Sequence, residues 1–364
     1  MTPLKISRPK IGIALGSGVA RGWAHIGVLR ELDEAGIEAD IVSGTSIGAL
    51  VGACHVAGKL DALEEFARSL NKRRILGLLD FRFRSTGIIG DAKLADLMQA
   101  HLSGLAIEDL PKTFVAVATE LTTGHELWLH HGDLIQSIRA SYAVPGIFTP
   151  MAVDGRWLID GALVNPVPVS VARALGSRVV IAVNLTNDPY DTRDLRRARR
   201  EVGNANSYVK DLAPPPLRDD HLFEGLEEAI DNDPSVRDEI AARREEQDKA
   251  RAVGTDLPMH EWLWDSVFGT SKRKEETEVL QRVVGGGKQR EPRLASVLLA
   301  SLNIVTDRLG RMRMASDPPD VVIAPKVGHM SLLDFDRADE MIRLGREATR
   351  QALPDIIEAI ELMA

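Results

Sequence analysis

Short apolar runs alternate with longer, helically spaced segments through the N-terminal half of the chain. Ile11-Gly12-Ile13-Ala14-Leu15 contains no polar side chain and runs into glycines, which predicts a buried strand followed by a turn. A helix is expected from about Gly22 to Ala35, stopped at Gly36. Ala39 to Val42 reads as a second strand, then a turn and a helix from about Ile47 to Ala57. Asp61 to Leu70 continues as helix. Phe114 to Ala118 and Val179 to Val183 are further buried strands, Glu126 to Leu129 an edge strand, Leu134 to Ala140 a helix and Arg156 to Ile159 extended. Continuous apolar strands alternating with helices predict an α/β fold whose mostly parallel sheet is covered on both faces.

The texture changes near Asp188. From there to about Arg293 charge rises, long apolar runs vanish, and Pro214-Pro215-Pro216 and Gly285-Gly286-Gly287 punctuate the chain. Helical patterning returns from Leu294 to about Leu309, then a strand at Asp320 to Pro325, then an amphipathic pattern over 336–361 interrupted by Pro354. The expected organisation is a core begun by 9–187, a charged, partly helical or flexible insertion at 188–293, and completion of the core by 294–364. Within the insertion Trp262, Leu263, Trp264, Val267 and Phe268 form an apolar patch that suits packing on the core, a membrane surface or a partner.

Composition narrows the classes. The 364 residues are 44% hydrophobic and 27% charged, a globular mix rather than a disordered or fibrous one. A net charge of −8 gives no basic footprint for nucleic acid. The lone Cys54 excludes a disulfide framework and any cysteine-cluster metal site. The apolar stretch Ile11 to Leu15 is too short for a leader or a span. The longer run Ile41 to Gly58 carries four glycines with Ser43, Thr45, Ser46 and His55, and suits strand–turn–helix better than a bilayer helix. A cytoplasmic protein is expected, with at most peripheral membrane contact.

Three segments carry chemistry. Gly16-Ser17-Gly18-Val19-Ala20-Arg21-Gly22 lies between a strand and a helix, where free N–H groups suit a phosphate, an oxyanion or simply a tight turn. A dinucleotide site would need an acidic residue at the end of the second strand, which here ends in Ser43-Gly44. Gly44-Thr45-Ser46-Ile47-Gly48 matches G-x-S-x-G in the strand-to-helix context that exposes a serine nucleophile and offers the next N–H to an oxyanion. Asp160-Gly161-Ala162 ends an apolar strand, as a plain Asp-Gly turn or as a carboxylate that takes the serine proton. A conventional triad needs a histidine. His25 and His55 fall inside expected helices, and His329, in a loop late in the chain, is best placed for one.

Together these segments resemble the patatin-like phospholipases, in particular the bacterial RssA-like branch, over Ile11 to Asn184 and again from Arg308 onward. Ala140 to Gly146 and Asn165-Pro166-Val167-Pro168 resemble further stretches of that family, whose glycine loop more often reads Gly-Gly-Gly than Gly-Ser-Gly. The resemblance implies a three-layer α/β/α sandwich and a Ser46–Asp160 dyad without histidine. It implies an oxyanion hole from Gly16, Ser17, Gly18, Val19 and Ile47. Arg21, Gly22, Gly44, Gly48 and Gly161 would support the site, with Arg21 orienting the loop or meeting a lipid phosphate. Desolvation beside Leu158 and Ile159 would raise the Asp160 pKa enough for a base. The implied partner is a phospholipid or lysophospholipid, with no metal or organic cofactor. The insertion lies outside the resemblance, and its Trp262, Trp264 and Phe268 are expected from their apolar character to contribute to any peripheral membrane contact. Alternatives are a low-activity regulatory or partner-binding protein, or an esterase or thioesterase on other acyl substrates.

Overall fold

The apolar runs become the centre of the sheet. β1 (Ile11–Leu15), β2 (Ile41–Thr45), β3 (Thr113–Glu120) and β7 (Val179–Val183) are buried along nearly their whole length. In a computed structural model of the chain they join β4 (Glu126–Leu129), β5 (Met151–Val153), β6 (Arg156–Asp160) and β8 (Val321–Ile323) in an eight-stranded sheet. The order is β5-β6-β3-β2-β1-β7-β8, with β4 also paired to β3. The structure describes residues 8–70, 98–186, 294–330, 332 and 334–364, and side chains within these except at 294–300. The expected insertion at 188–293, with Trp262, Trp264 and Phe268, lies outside the described residues. Contacts divide the chain into a larger unit, Met1–Phe81, Ser85–Pro216 and Ile304–Ala364, and a smaller one, Arg82–Arg84 and Leu217–Asn303. Of the smaller unit only 294–303, the helical start of α6 (Leu294–Ser316), is described.

Period-two alternation sorts the strand residues between two layers of helix. Ile13, Leu15, Val42, Phe114, Ala116 and Ile181 face α1 (Ala24–Glu34), α2 (Ile47–Val56), α4 (Leu134–Ser141) and α7 (Ala338–Met363) in the main core. α3 (Leu60–Ser69) joins the same layer through Leu60, Leu63 and Ala67. On the opposite face Ala14, Val180 and Ala182 meet Val169 and Ala172 of α5 (Val169–Ala174), with Met314 of α6 packed against them. The result is a three-layer α/β/α sandwich around a mostly parallel sheet. α1 and α7 cross at backbone contact, with Gly27 against the Ile342 carbonyl and Gly345 against that of Ala24. Arg346 and Arg350 close on the buried Glu31 at 3.3 and 2.7 Å beside this crossing. α7 runs unbroken through Pro354, where the sequence suggested an interruption. The proline removes one N–H, and the buried Ala352 and Ile356 on either side keep the helix on the core.

The register of β3 places the site. Ala116 and Val117 pair with Gly44 and Thr45 of β2 and also with Leu129 and Trp128 of β4. Ala118 and Thr119 pair with Leu127 and Glu126 of β4 and also with Asp160 and Ile159 of β6. A strand has two edges, so β4 holds one, and β2 and β6 share the other. β2 runs parallel to β3 and β6 antiparallel, so their C-terminal ends point at each other. Thr45 stops opposite Val117 and Asp160 opposite Ala118.

The α1–α7 crossing yields a stability prediction. Gly345→Val forces a branched side chain between touching backbones and should lower the unfolding free energy by about 1–3 kcal/mol, read from urea denaturation.

Candidate active site

β2 ends in a turn that ordinary side chains avoid. Ser46 sits at φ 58° and ψ −125°, and α2 begins at the next residue. Such a conformation costs on the order of 1–3 kcal/mol and needs its surroundings to hold it. Three close approaches do so. Gly44 lies on the Ala49 backbone, Gly48 on the Leu15 carbonyl and Gly22 on the Ile47 side chain, each without room for a Cβ. The Ser46 N–H donates to Ser141 Oγ at 2.9 Å, and that hydroxyl donates to the Val117 carbonyl at 2.6 Å. Thr45 Oγ1 donates to the Asn165 carbonyl at 2.8 Å and Ser43 Oγ to that of Pro168 at 3.0 Å. The stretch after Asp160 is thereby tied along β2.

Across the junction, Ser46 Oγ donates to Asp160 Oδ2 at 2.6 Å, and both residues are 3% exposed. The other carboxylate oxygen, Oδ1, accepts the Ala162 N–H at 2.8 Å. The Asp160 N–H reaches the Ala143 carbonyl at 3.0 Å, and Thr119 Oγ1 donates to the Asp160 carbonyl at 2.8 Å. Gly161 turns the chain directly over the Val117 carbonyl, where a Cβ would collide. Burial pushes the Asp160 carboxyl up to about 6, against the opposing pull of the Ser46 hydroxyl and the Ala162 N–H. It is thus ionised near neutrality yet basic enough to hold a proton.

The glycine loop differs in part from expectation. The Gly16 N–H already donates to the Val183 carbonyl at 3.0 Å and the Ser17 N–H to that of Pro166 at 2.9 Å. The first continues the β1–β7 ladder and the second meets the loop before α5, so neither is free for an oxyanion. The N–H groups of Gly18, Val19 (φ 50°) and Ile47 have no backbone acceptor among the described residues. Arg21, 4% exposed, donates Nε and Nη2 to the Met330 carbonyl at 2.9 and 2.6 Å. These bonds tie the loop to the segment after β8. The Ala20 N–H reaches the Leu332 carbonyl at 3.1 Å, so the segment after β8 clasps the turn.

No described histidine bonds Ser46 or Asp160. His329 lies at the surface and meets Glu340 at 3.1 Å, so the late histidine completes no triad. His25 is wholly buried in α1 against the Gly16 carbonyl at 2.7 Å. Sequence patterns pointed to Ser46 and Asp160 and missed the hydroxyl of Ser141. That serine sits in the small-residue segment Ala140 to Gly146, whose sequence shows smallness and not a bonding partner.

The segment containing loop, elbow and aspartate fits a family model described as Patatin-like phospholipase, over residues 13–173. The whole chain is similar to an NTE family protein of Mycobacterium tuberculosis, 34% identical over 366 residues, covering 98% of this chain and 93% of that one. The chain belongs to the patatin-like phospholipase family. As a patatin-like protein it is a lipid acyl hydrolase in general terms. It is also 33% identical over 181 residues to the neuropathy target esterase sws of Drosophila melanogaster, covering 48% of this chain and 13% of that one. Among solved structures, VipD from Legionella pneumophila aligns with a TM-score of 0.42 at 13% identity, over 95% of this chain and 67% of that one.

The raised Asp160 pKa has a measurable sign. An unfolded aspartate titrates near 3.9. Between about pH 4 and 6 the folded state holds a proton that the unfolded state releases, so stability falls as pH rises through that window. Above it the buried carboxylate carries its full cost, on the order of 3 kcal/mol. Asp160→Asn keeps an acceptor for Ala162 and a partner for Ser46 without the charge. It should be more stable than wild type at pH 8, and the gap should close as pH falls toward 4, read from urea midpoints across a pH series.

Proposed function

We propose that this protein hydrolyses phospholipid or lysophospholipid acyl esters through a Ser46–Asp160 dyad. The observation that carries the reading is the 2.6 Å contact between the strained Ser46 hydroxyl and a carboxylate of raised pKa. Ser46 Oγ attacks the acyl carbonyl carbon while Asp160 Oδ2 takes its proton. The N–H groups of Gly18, Val19 and Ile47 receive the charge that develops on the carbonyl oxygen. Collapse breaks the ester bond, and the leaving alcohol takes the proton from Asp160. Water then attacks the acyl-Ser46 carbonyl, giving its proton to Asp160, which returns it to Ser46 Oγ as the fatty acid departs. Nothing in this cycle requires a histidine, because Asp160 is basic enough to carry the proton at each step.

Membrane contact belongs to the same reading. Trp262 and Trp264 carry an indole N–H on a large apolar ring and Phe268 a wholly apolar ring, the side chains that settle at a lipid interface. Replacing all three by serine should weaken binding to phospholipid vesicles in a flotation assay, and unchanged binding would remove them from that role.

The deciding experiment measures fatty-acid release from lysophospholipid and from diacyl phospholipid vesicles. Wild type should release fatty acid from at least one, Ser46→Ala from neither, and Asp160→Asn about 10²–10⁴-fold more slowly. The wild-type rate should climb about tenfold per pH unit up to about 6 and then level, because only the ionised Asp160 accepts the serine proton. Release that survives Ser46→Ala would sink the dyad. Hydrolysis of a thioester or simple ester with no release from either vesicle would move the substrate out of the phospholipids.

A further inference from the structure

We infer that His25 is a positioning residue for the oxyanion turn, fixing through the Gly16 carbonyl the peptide from which the Gly18 and Val19 N–H groups hang. This rests on the serine-hydrolase reading above. His25 is fully buried, and its Nε2 lies 2.7 Å from the Gly16 carbonyl oxygen. A carbonyl only accepts, so Nε2 carries the proton and donates it. The other ring nitrogen, Nδ1, is buried with no hydrogen-bond partner among the described residues. Burial lowers the imidazole pKa to about 4 against the raising effect of the Gly16 bond, so the ring is neutral wherever Asp160 is ionised. An orphaned buried nitrogen is a cost that packing does not explain. The single directed contact of the ring accounts for it.

The peptide between Gly16 and Ser17 is held at both ends. Its carbonyl takes the His25 N–H, and its N–H donates to Pro166 at 2.9 Å. Downstream, the carbonyls of Met330 and Leu332 hold Arg21 and Ala20. The two peptides carrying the Gly18 and Val19 N–H groups hang between these anchors. The Gly16 carbonyl also borders the first turn of α2, since a Cβ on Gly48 would come within 2.7 Å of it. Stripped of its donor, that oxygen becomes an unsatisfied acceptor at the base of the glycine turn. Removing His25 therefore disturbs the Gly18 and Val19 donors, and their work is done on the charged tetrahedral state rather than on bound substrate.

The test compares wild type with His25→Phe, which removes the donor, and His25→Gln, which restores one. Steady-state fatty-acid release from vesicles is measured alongside the rate at which a fluorophosphonate modifies Ser46. His25→Phe should lose about 10²–10³-fold in kcat with KM unchanged within about threefold. His25→Gln should recover at least about tenfold of that loss, and Ser46 modification should slow in the same order. If His25→Phe does not fold, His25→Leu removes the same donor with less bulk. A folded donor-less variant with unchanged kcat, a loss carried by KM, or equal rates for the glutamine and donor-less variants would overturn the role. If wild type reacts with the fluorophosphonate but releases no fatty acid, the lipid reading fails and the labelling rates still decide the role of His25. If Ser46 does not react at all, both fall.

Discussion

The free edge of β3 opposite β4 is long enough for two strands in line, and β2 and β6 fill it from opposite directions until they meet between Val117 and Ala118. At such a meeting point neither strand can continue the ladder. Each must leave the sheet, and the last side chain of each is brought to its neighbour by backbone pairing alone. Asp160 is the last residue of β6, and Ser46 is the first residue after β2. A one-residue slip in either pairing would turn the side chain at the junction to the other face and separate the hydroxyl from the carboxylate. The core on both faces of β3 opposes that slip, because Phe114 and Ala116 belong to one helical layer and Val115 and Val117 to the other.

The junction concentrates unfavourable terms that the neighbouring chain has to offset. Ser46 is held in a conformation that favours glycine, and Asp160 is a carboxylate largely removed from water. Short polar groups answer each. Ser141 links the Ser46 N–H to the Val117 carbonyl, Ala162 meets the carboxylate, and Thr119 and Ala143 satisfy the Asp160 backbone. These groups come from β3, α4 and the turn after β6. The elbow is therefore a property of the whole antiparallel end of the sheet, beyond the five residues of its motif.

Much of the fold could be read from periodicity because its central strands are apolar throughout. β4 and β7 fall where the pattern put them, and β2 and β6 extend past it to the residues that carry the site. β5 escaped detection because a three-residue strand with exposed positions has no period to detect. Ser46 and Asp160 were legible because the turn demands glycine at defined offsets and leaves a short motif. Their contact was not legible, since it depends on which edge of β3 each strand takes. Gly16 and Ser17 misled for a related reason. A glycine-rich loop advertises exposed N–H groups, but sequence does not show which of them other backbone consumes, here with Val183 and Pro166. Ser141 and His25 act through single bonds to backbone atoms distant in sequence, and no local pattern records those.

The clasp on Arg21 joins the first strand–helix connection to the segment after the last strand, across more than 300 positions. A ribosome adding roughly 5–20 residues per second needs on the order of tens of seconds to cover that interval. Once Asp160 has been added, β2, β3 and β6 are all available to bring Ser46 to it, but the carbonyls of Met330 and Leu332 do not yet exist for the turn to close on. The Ser46–Asp160 contact is thus built early and the glycine turn beside it is secured late. A nascent or truncated chain ending before Met330 would carry the Ser46–Asp160 contact without the clasp that holds the turn beside it.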